Sequence, residues 1–180
     1  DDRSHYHVWW LGQSGFMIQW QGNRILLDPY LSDSLTKKYA DTDKPHVRMS
    51  ERVIAPELLN GLDLITSSHN HTDHLDAETL LPVLKNNPQA TFIIPEANRA
   101  FVAERLQCRL DYPTGLNDKR HIHVPPTFQS ARQAERGRDE GAPSAFQSAR
   151  QPEGWRYVVH GIPAKHNEID RDEAGNCRYM

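Results

Sequence analysis

The most informative stretch of this chain is LDLITSSHNHTDH, residues 62–74, in which an apolar run leads directly into a cluster of metal-ligand side chains. If the apolar run is a strand, side chains alternate, so His69 and His71 can point the same way where the strand ends. Imidazole nitrogens bind zinc and similar divalent metals, so these two can hold one ion. Asp73 and His74 follow as the chain turns, and could reach a second ion about 3.5–4 Å from the first.

A histidine-rich hexapeptide can also be a solvated loop, or the polar start of a helix. Here four ligand-type residues follow a predicted buried strand, which is where α/β proteins place their sites. The pattern therefore predicts a metal site. His121, His123 and His160 stand in no comparable motif, and we interpret them as structural.

The sequence on both sides of the cluster predicts an α/β fold. Before it, apolar runs separated by Gly-containing turns predict three antiparallel strands, at residues 8–11, 16–20 and 24–27. After it, Asp76 can cap a helix that begins at Ala77. A strand at residues 91–94 and a helix at residues 96–106 follow. The succession of strand, metal cluster, helix, strand and helix is typical of the α/β class.

Proline positions and a long polar segment give further expectations. Pro29 should push Asp28 toward an extended conformation, and Pro82 should kink or restart the helix after the cluster. Residues 30–56 should form a long irregular loop. Its cations could bind an anionic group or could simply be solvated; they are Lys37, Lys38, Lys44 and Arg48.

Composition narrows the classes of partner. With 180 residues the chain is long enough for one domain with a core, residues 1–180. The formal charge of −3 and the lack of a dense basic block argue against nucleic acid. No apolar run approaches the roughly 20 residues of a membrane helix. Two cysteines favour a reducing compartment, so we expect a cytoplasmic protein.

A polar segment at about residues 125–154 interrupts the pattern. It holds a direct repeat, FQSARQ, at residues 128–133 and again at 146–151. Such a segment can bury little apolar surface, which favours a flexible surface insertion. The alternative is a short motif that binds a partner.

Three motifs resemble the metallo-β-lactamase superfamily, and within it the branch of L-ascorbate-6-phosphate lactonase-like hydrolases. They are WLGQSGF at residues 10–16, ILLDPY at 25–30 and SHNHTDHLD at 68–76. The resemblance implies an αββα sandwich. The later Gly-Asp-Thr and final histidine of the family are not found, so we expect an incomplete domain, truncated at its C-terminus. The sheet face that this would leave uncovered favours association, so a homo-oligomer is possible.

The resemblance also implies roles for individual residues. His69, His71 and His166 would bind the first metal, and Asp73 and His74 the second. Asp73 would also orient the nucleophile, and Asp28 would support the site by orienting an imidazole from outside the ligand shell. Two divalent ions are expected as cofactors, zinc or manganese.

The function that follows is metal-dependent hydrolysis. A metal-bound hydroxide would attack an ester, a lactone or a phosphoester of a small molecule, which could be anionic. The alternative is a truncated protein that binds metal without catalysis, or a partner-binding module built on the repeated segment.

Overall fold

A six-stranded sheet organises the chain, and its strand order follows the sequence, β1-β2-β3-β4-β5-β6. The computed structural model describes residues 4–118, 120–124, 157–161, 170–171, 173–174 and 177–178. The strands are β1 His7–Trp10, β2 Phe16–Trp20, β3 Asn23–Leu27, β4 Leu64–Thr66, β5 Thr91–Pro95 and β6 Thr114–Leu116. β1, β2 and β3 pair antiparallel, as predicted, whereas β3 through β6 pair parallel.

Helices occupy the connections between the parallel strands, which confirms the predicted α/β class. They are α1 Ser34–Lys38, α2 Ala77–Asn86 and α3 Arg99–Leu106, with 3₁₀ turns at Pro56–Leu58 and Glu96–Asn98. The predicted cap of α2 is present, because the Asp76 carboxylate accepts a hydrogen bond from the Thr79 amide at 3.1 Å. In the described part of the chain, no helix is long and apolar enough to cross a membrane.

The main core lies between the helices and one face of the sheet. Alternation along the strands directs apolar side chains of β3, β4 and β5 toward this face, where they meet α2 and α3. Each fully buried leucine or isoleucine contributes roughly 1.5–3 kcal/mol. The buried residues include Leu26, Ile65, Phe92, Ile94, Leu80, Val83, Val102 and Leu106.

A two-stranded hairpin covers part of the opposite sheet face. β7 His121–Val124 pairs antiparallel with β8 Tyr157–His160, and Ile122, Val124 and Val159 pack with Leu64 and Ile93. The strands β1 and β2 are less covered by the described residues, since Trp10 is 58% exposed and Trp20 is 50% exposed. A further short pair joins β9 Asp170–Arg171 to β10 Cys177–Arg178.

Three local expectations are wrong. Asp28 is not extended but has φ of +43°, which is uncommon outside glycine. Helix α2 runs through Pro82 without a restart, so the expected restart is wrong, and the alternative of a kink stays a prediction. The Glu78 carbonyl that loses its donor belongs to an exposed residue, where water can replace it. The loop at residues 30–56 contains α1, and it begins with the fully buried Tyr30.

Some predicted features lie outside the described residues. These are the insertion at about residues 125–154, both copies of its repeat, and His166. The single-domain assignment and the role of His166 therefore stay predictions.

Candidate metal centre

Two parallel strands bring the predicted site residues to one edge of the sheet. β3 and β4 pair with Leu27 opposite Thr66. Asp28 directly follows β3, and the histidine cluster begins just beyond the end of β4. Because the carboxyl ends of parallel strands meet at the same edge, Asp28 lies beside the cluster despite its distance in sequence.

The buried carboxylate of Asp28 accepts hydrogen bonds from several neighbouring residues at this edge. Its Oδ1 accepts hydrogen bonds from the Thr66 hydroxyl at 2.8 Å and the Ser68 amide at 3.0 Å. Its Oδ2 accepts a bond from the Ser68 hydroxyl and lies 2.8 Å from His74 Nδ1. Burial would raise the pKa of Asp28, but the bonds from His74, Ser68 and Thr66 outweigh burial and lower it. Asp28 is therefore a carboxylate at neutral pH.

The carboxylate fixes the tautomer of His74. With Oδ2 as acceptor, Nδ1 carries a proton, and in the neutral ring Nε2 keeps its lone pair. Burial would lower the pKa of His74, but the bond to Asp28 and the charges of Asp28 and Asp73 raise it above its ordinary value. A cation that binds Nε2 therefore competes with a proton that these contacts hold more tightly than usual.

The spacing of His74 and Asp73 fits a divalent metal. His74 Nε2 lies 3.5 Å from Asp73 Oδ2. Two ligands with bonds of about 2.1 Å at a tetrahedral angle are about 3.4 Å apart. The two atoms are thus spaced as ligands of a single ion, and their types, imidazole nitrogen and carboxylate oxygen, suit zinc, manganese or iron.

His69 and His71 complete the cluster. The His69 ring centroid lies 4.6 Å from that of His71 and 3.9 Å from that of His74. Burial lowers the pKa of His69 to about 4, helped by the neighbouring His74 and His71 rings. His69 is therefore neutral at pH 7, which is the form that binds metal.

Ligand atoms of Asp28, His69 and His74 also come within 4.8 Å of one another. This triad differs from the predicted arrangement, in which Asp28 acts only from outside the ligand shell. The bonds that Asp28 accepts from Thr66, Ser68 and His74 use both of its oxygens. That use is typical of a group that orients a ligand. The structure brings five residues to this edge of the sheet, and which of them bind metal stays a prediction; they are Asp28, His69, His71, Asp73 and His74.

Three residues that sequence reasoning missed hold the cluster in place. Ser14 donates to the backbone carbonyl of Asp73 at 2.6 Å and to that of Asp28 at 3.3 Å. Arg105 of α3 donates to the carbonyls of Asn70 at 3.4 Å and Leu75 at 3.2 Å. Ser68, next to the first histidine, bonds Asp28. Two of them had a sequence signal: Ser68 lies beside His69, and Ser14 lies in the WLGQSGF motif at residues 10–16.

The cations of the loop at residues 30–56 make local contacts. Lys37 Nζ lies 2.8 Å from Glu78 Oε2. Arg48 donates to the carbonyls of Tyr30 and Ser32, both at 2.9 Å. These contacts favour a structural role for Lys37 and Arg48 over the binding of an anionic substrate.

Comparisons with known proteins show what this chain is similar to. The family described as Beta-lactamase superfamily domain matches residues 7–152, which is more than half of the chain. A UPF0173 metal-dependent hydrolase from Hyperthermus butylicus is 27% identical over 141 residues, covering 75% of this chain and 54% of that protein. A mitochondrial N-acyl-phosphatidylethanolamine-hydrolyzing phospholipase D from Saccharomyces cerevisiae is 33% identical over 93 residues, covering 52% of this chain and 19% of that protein.

Solved structures give weaker likenesses. The diiron β-hydroxylase CmlA from Streptomyces venezuelae has a TM-score of 0.47 and 18% identity, covering 68% of this chain and 22% of that one. The metallo hydrolase Igni18 from Ignicoccus hospitalis has a TM-score of 0.39 and 18% identity, covering 66% and 42%. Among the relatives matched by sequence, the chain spans about half of the Hyperthermus butylicus protein and about a fifth of the Saccharomyces cerevisiae protein.

Proposed function

This chain belongs to the beta-lactamase superfamily, and we propose that its histidine cluster binds divalent metal for the hydrolysis of a small ester, lactone or phosphoester. The observation that carries the proposal is the chain of contacts from Asp28 through His74 to Asp73. Asp28 Oδ2 lies 2.8 Å from His74 Nδ1, and His74 Nε2 lies 3.5 Å from Asp73 Oδ2. A buried carboxylate that orients an imidazole toward a second carboxylate is the arrangement that metal sites use.

The position of each residue in the cluster suggests a different role for it. His74 and Asp73 would hold one cation, and His69 and His71, with His166, would hold another. Asp28 keeps the His74 ring in one tautomer, and Ser14 and Arg105 fix the backbone that carries Asp73. When bound, divalent metal supplies a Lewis acid that lowers the pKa of water and polarises a carbonyl or phosphoryl oxygen.

Asp73 has a second proposed role. Its carboxylate is half-buried, and His74 is its close neighbour. A carboxylate at this position can accept a proton from water and orient it toward the substrate. The backbone carbonyl of Asp73 accepts from Ser14 at 2.6 Å, which limits movement of the residue during that step.

The substrate class is proposed from two sources. The sequence motifs resemble lactonase-like hydrolases, which favours a cyclic ester. The yeast relative is named as a hydrolase of a phosphodiester lipid, and the archaeal relative as a metal-dependent hydrolase. A cyclic ester is attacked at its carbonyl carbon and a phosphodiester at its phosphorus atom, and each of these atoms carries an oxygen that a metal can polarise. The same site could therefore hydrolyse either class of substrate.

The test is a hydrolysis panel with measured metal content. Chain loaded with zinc or manganese would be assayed with para-nitrophenyl acetate, a small lactone and bis(para-nitrophenyl) phosphate. We expect hydrolysis of at least one, lost together with metal in His71→Ala. His5→Ala, which replaces an exposed histidine outside the cluster, is the matched control and should keep both.

The panel also separates the alternatives. Metal bound at the cluster without turnover of any substrate would favour the non-catalytic metal protein. Folded chain that takes up no metal at the cluster would overturn the proposal. Deleting residues 128–152 tests the partner-binding module, because metal and hydrolysis should survive if that segment is only an insertion.

A further inference from the structure

A second group of histidines lies on the hairpin β7–β8, away from the strand ends that carry the cluster. His121 pairs with His160 across the two strands, and His123 lies two residues along β7. All three are exposed, whereas Ile122, Val124 and Val159 pack inward. Because side chains alternate along a strand, the three imidazoles share the outward face of the hairpin.

The spacing of these rings matches that of ligands on a shared ion. The His121 centroid lies 5.4 Å from that of His123 and 5.4 Å from that of His160. A zinc–nitrogen bond of about 2.05 Å places the ion about 3.2 Å from a ring centroid, so two rings at a tetrahedral angle are about 5.2 Å apart. Both observed distances are within a few tenths of an ångström of that value.

The third pair is also within reach. His123 lies opposite Val158, so His160 is its diagonal neighbour across the strands. Diagonal neighbours are separated by about 7–8 Å at the backbone, which long side chains can bridge. Bringing all three nitrogens to one point requires ring rotations, and His123 must give up a contact that it makes in the metal-free chain. All three positions are exposed, so the rings have room to turn.

We propose that His121, His123 and His160 form a second metal site, which takes zinc or another late divalent transition metal. Three imidazoles leave a fourth position for water, and the Irving–Williams order favours copper, zinc and nickel over manganese at nitrogen donors. The inward face of the hairpin already supplies its packing, so the histidines are not needed for the core.

The proposed site would tie together strands that are distant in sequence. Residues 125–156 separate β7 from β8. A metal clip that closes a long connection restricts the unfolded chain more than one that closes a short turn. The ion would therefore stabilise the hairpin over Leu64 and Ile93. At a zinc concentration about 100-fold above Kd, the Tm should rise by roughly 5–10 °C.

The experiment uses the full chain and zinc alone as the probe. Zinc stoichiometry would be measured by equilibrium dialysis for the parent, His121→Gln, His160→Gln and His5→Gln. We expect the two hairpin variants to bind one equivalent less than the parent, and His5→Gln to bind the same amount. Circular dichroism in chelator should be unchanged, because the replaced side chains point outward.

A second readout does not depend on the cluster. Imidazole nitrogen resonances of His121 and His160, assigned by the same variants, and of His123, assigned with His123→Gln, should shift together when one equivalent binds the hairpin. They should still shift in His71→Ala, whose cluster is disabled, so the two sites fail or succeed separately. Equal zinc stoichiometry in His160→Gln and parent, with these resonances unmoved, would overturn the second site.

Discussion

His74 Nδ1 lies 2.8 Å from Asp28 Oδ2, although the two residues are 46 positions apart in the chain. The contact depends on parallel pairing of β3 with β4, which places the end of each strand at the same edge of the sheet. It determines which nitrogen of His74 faces Asp73. The candidate metal centre therefore depends on the sheet as well as on the local histidine motif.

Asp28→Asn should weaken metal binding without removing a proposed metal ligand. The amide keeps the size of the side chain but loses the charge that stabilises His74 Nδ1–H. Outer carboxylates of this kind typically change metal affinity by about 10–100-fold. Competition with a chelator would measure the loss. Asp41→Asn, which replaces an exposed carboxylate outside the cluster, should bind metal like the parent. Equal metal affinity in the two variants would show that Asp28 does not support metal binding.

The histidines of the metal-free chain should titrate far apart. His69 is expected near pH 4, because burial and two neighbouring imidazoles oppose its protonation. His74 is expected above 6.5, because Asp28 stabilises its charged form. NMR of the imidazole protons in chelator would show two separated midpoints. Both rings titrating together at about 6.5 would mean that the cluster is open to solvent.

The same shifts give the sign of the pH dependence of stability. For His69, the unfolded chain binds a proton below about 6.5 and the folded chain only near 4, so this group destabilises the fold as pH falls through that window. For His74 the folded pKa is raised, so its stabilisation is complete below 6.5 and disappears as pH rises through the folded pKa. Asp28 has a lowered pKa, so its stabilisation is present above 3.8 and is lost at lower pH.

Urea unfolding of His69→Gln, compared with the parent at pH 5 and 7, would test the sign for His69. On going from pH 7 to pH 5, the parent should lose more stability than the variant.

Asp76→Ala should destabilise the fold by about 1 kcal/mol, with a range of roughly 0.5–2. The carboxylate caps α2 directly after the cluster by accepting from the Thr79 amide, and it also accepts from the Thr79 hydroxyl. Urea unfolding would measure the change. Glu78→Ala on the same helix removes an exposed pair with Lys37 and an acidic group in the first turn, so it should cost between about 0 and 1 kcal/mol. A larger loss in Glu78→Ala than in Asp76→Ala would contradict the assignment of the cap.

Ser14→Ala should loosen the cluster, although Ser14 is 59 positions from Asp73 in the chain. Its hydroxyl bonds the carbonyl of Asp73, and a lost bond of this kind costs about 0.5–1.5 kcal/mol. Because the carbonyl belongs to a proposed ligand, metal affinity should fall together with stability. Ser50→Ala replaces another half-buried serine, outside the cluster, and should bind metal like the parent. An unchanged metal affinity in Ser14→Ala would limit Ser14 to a role in folding.

Features with local causes could be predicted from sequence. His69 and His71 form part of a spaced motif, and Asp76 precedes a helix by the usual capping rule. The order of strands and helices followed from hydrophobic periodicity in the same way. These signals need only neighbouring residues.

Features that depend on distant contacts could not be predicted. The positive φ of Asp28 is held by bonds to Thr66, Ser68 and His74, which outweigh the preference imposed by Pro29. The roles of Ser14 and Arg105 depend on how loops and α3 pack around the cluster. The pairing of His121 with His160 depends on the register of two strands that are remote in sequence.

Anomalous diffraction from crystals soaked in zinc or manganese tests the central claim most directly. The account predicts a metal peak within about 2.0–2.3 Å of both His74 Nε2 and Asp73 Oδ2, with Asp28 still bonded to His74 Nδ1. Crystals that take up metal but show no peak at these two atoms, with the imidazoles of His69, His71 and His74 turned apart into solvent, would contradict it.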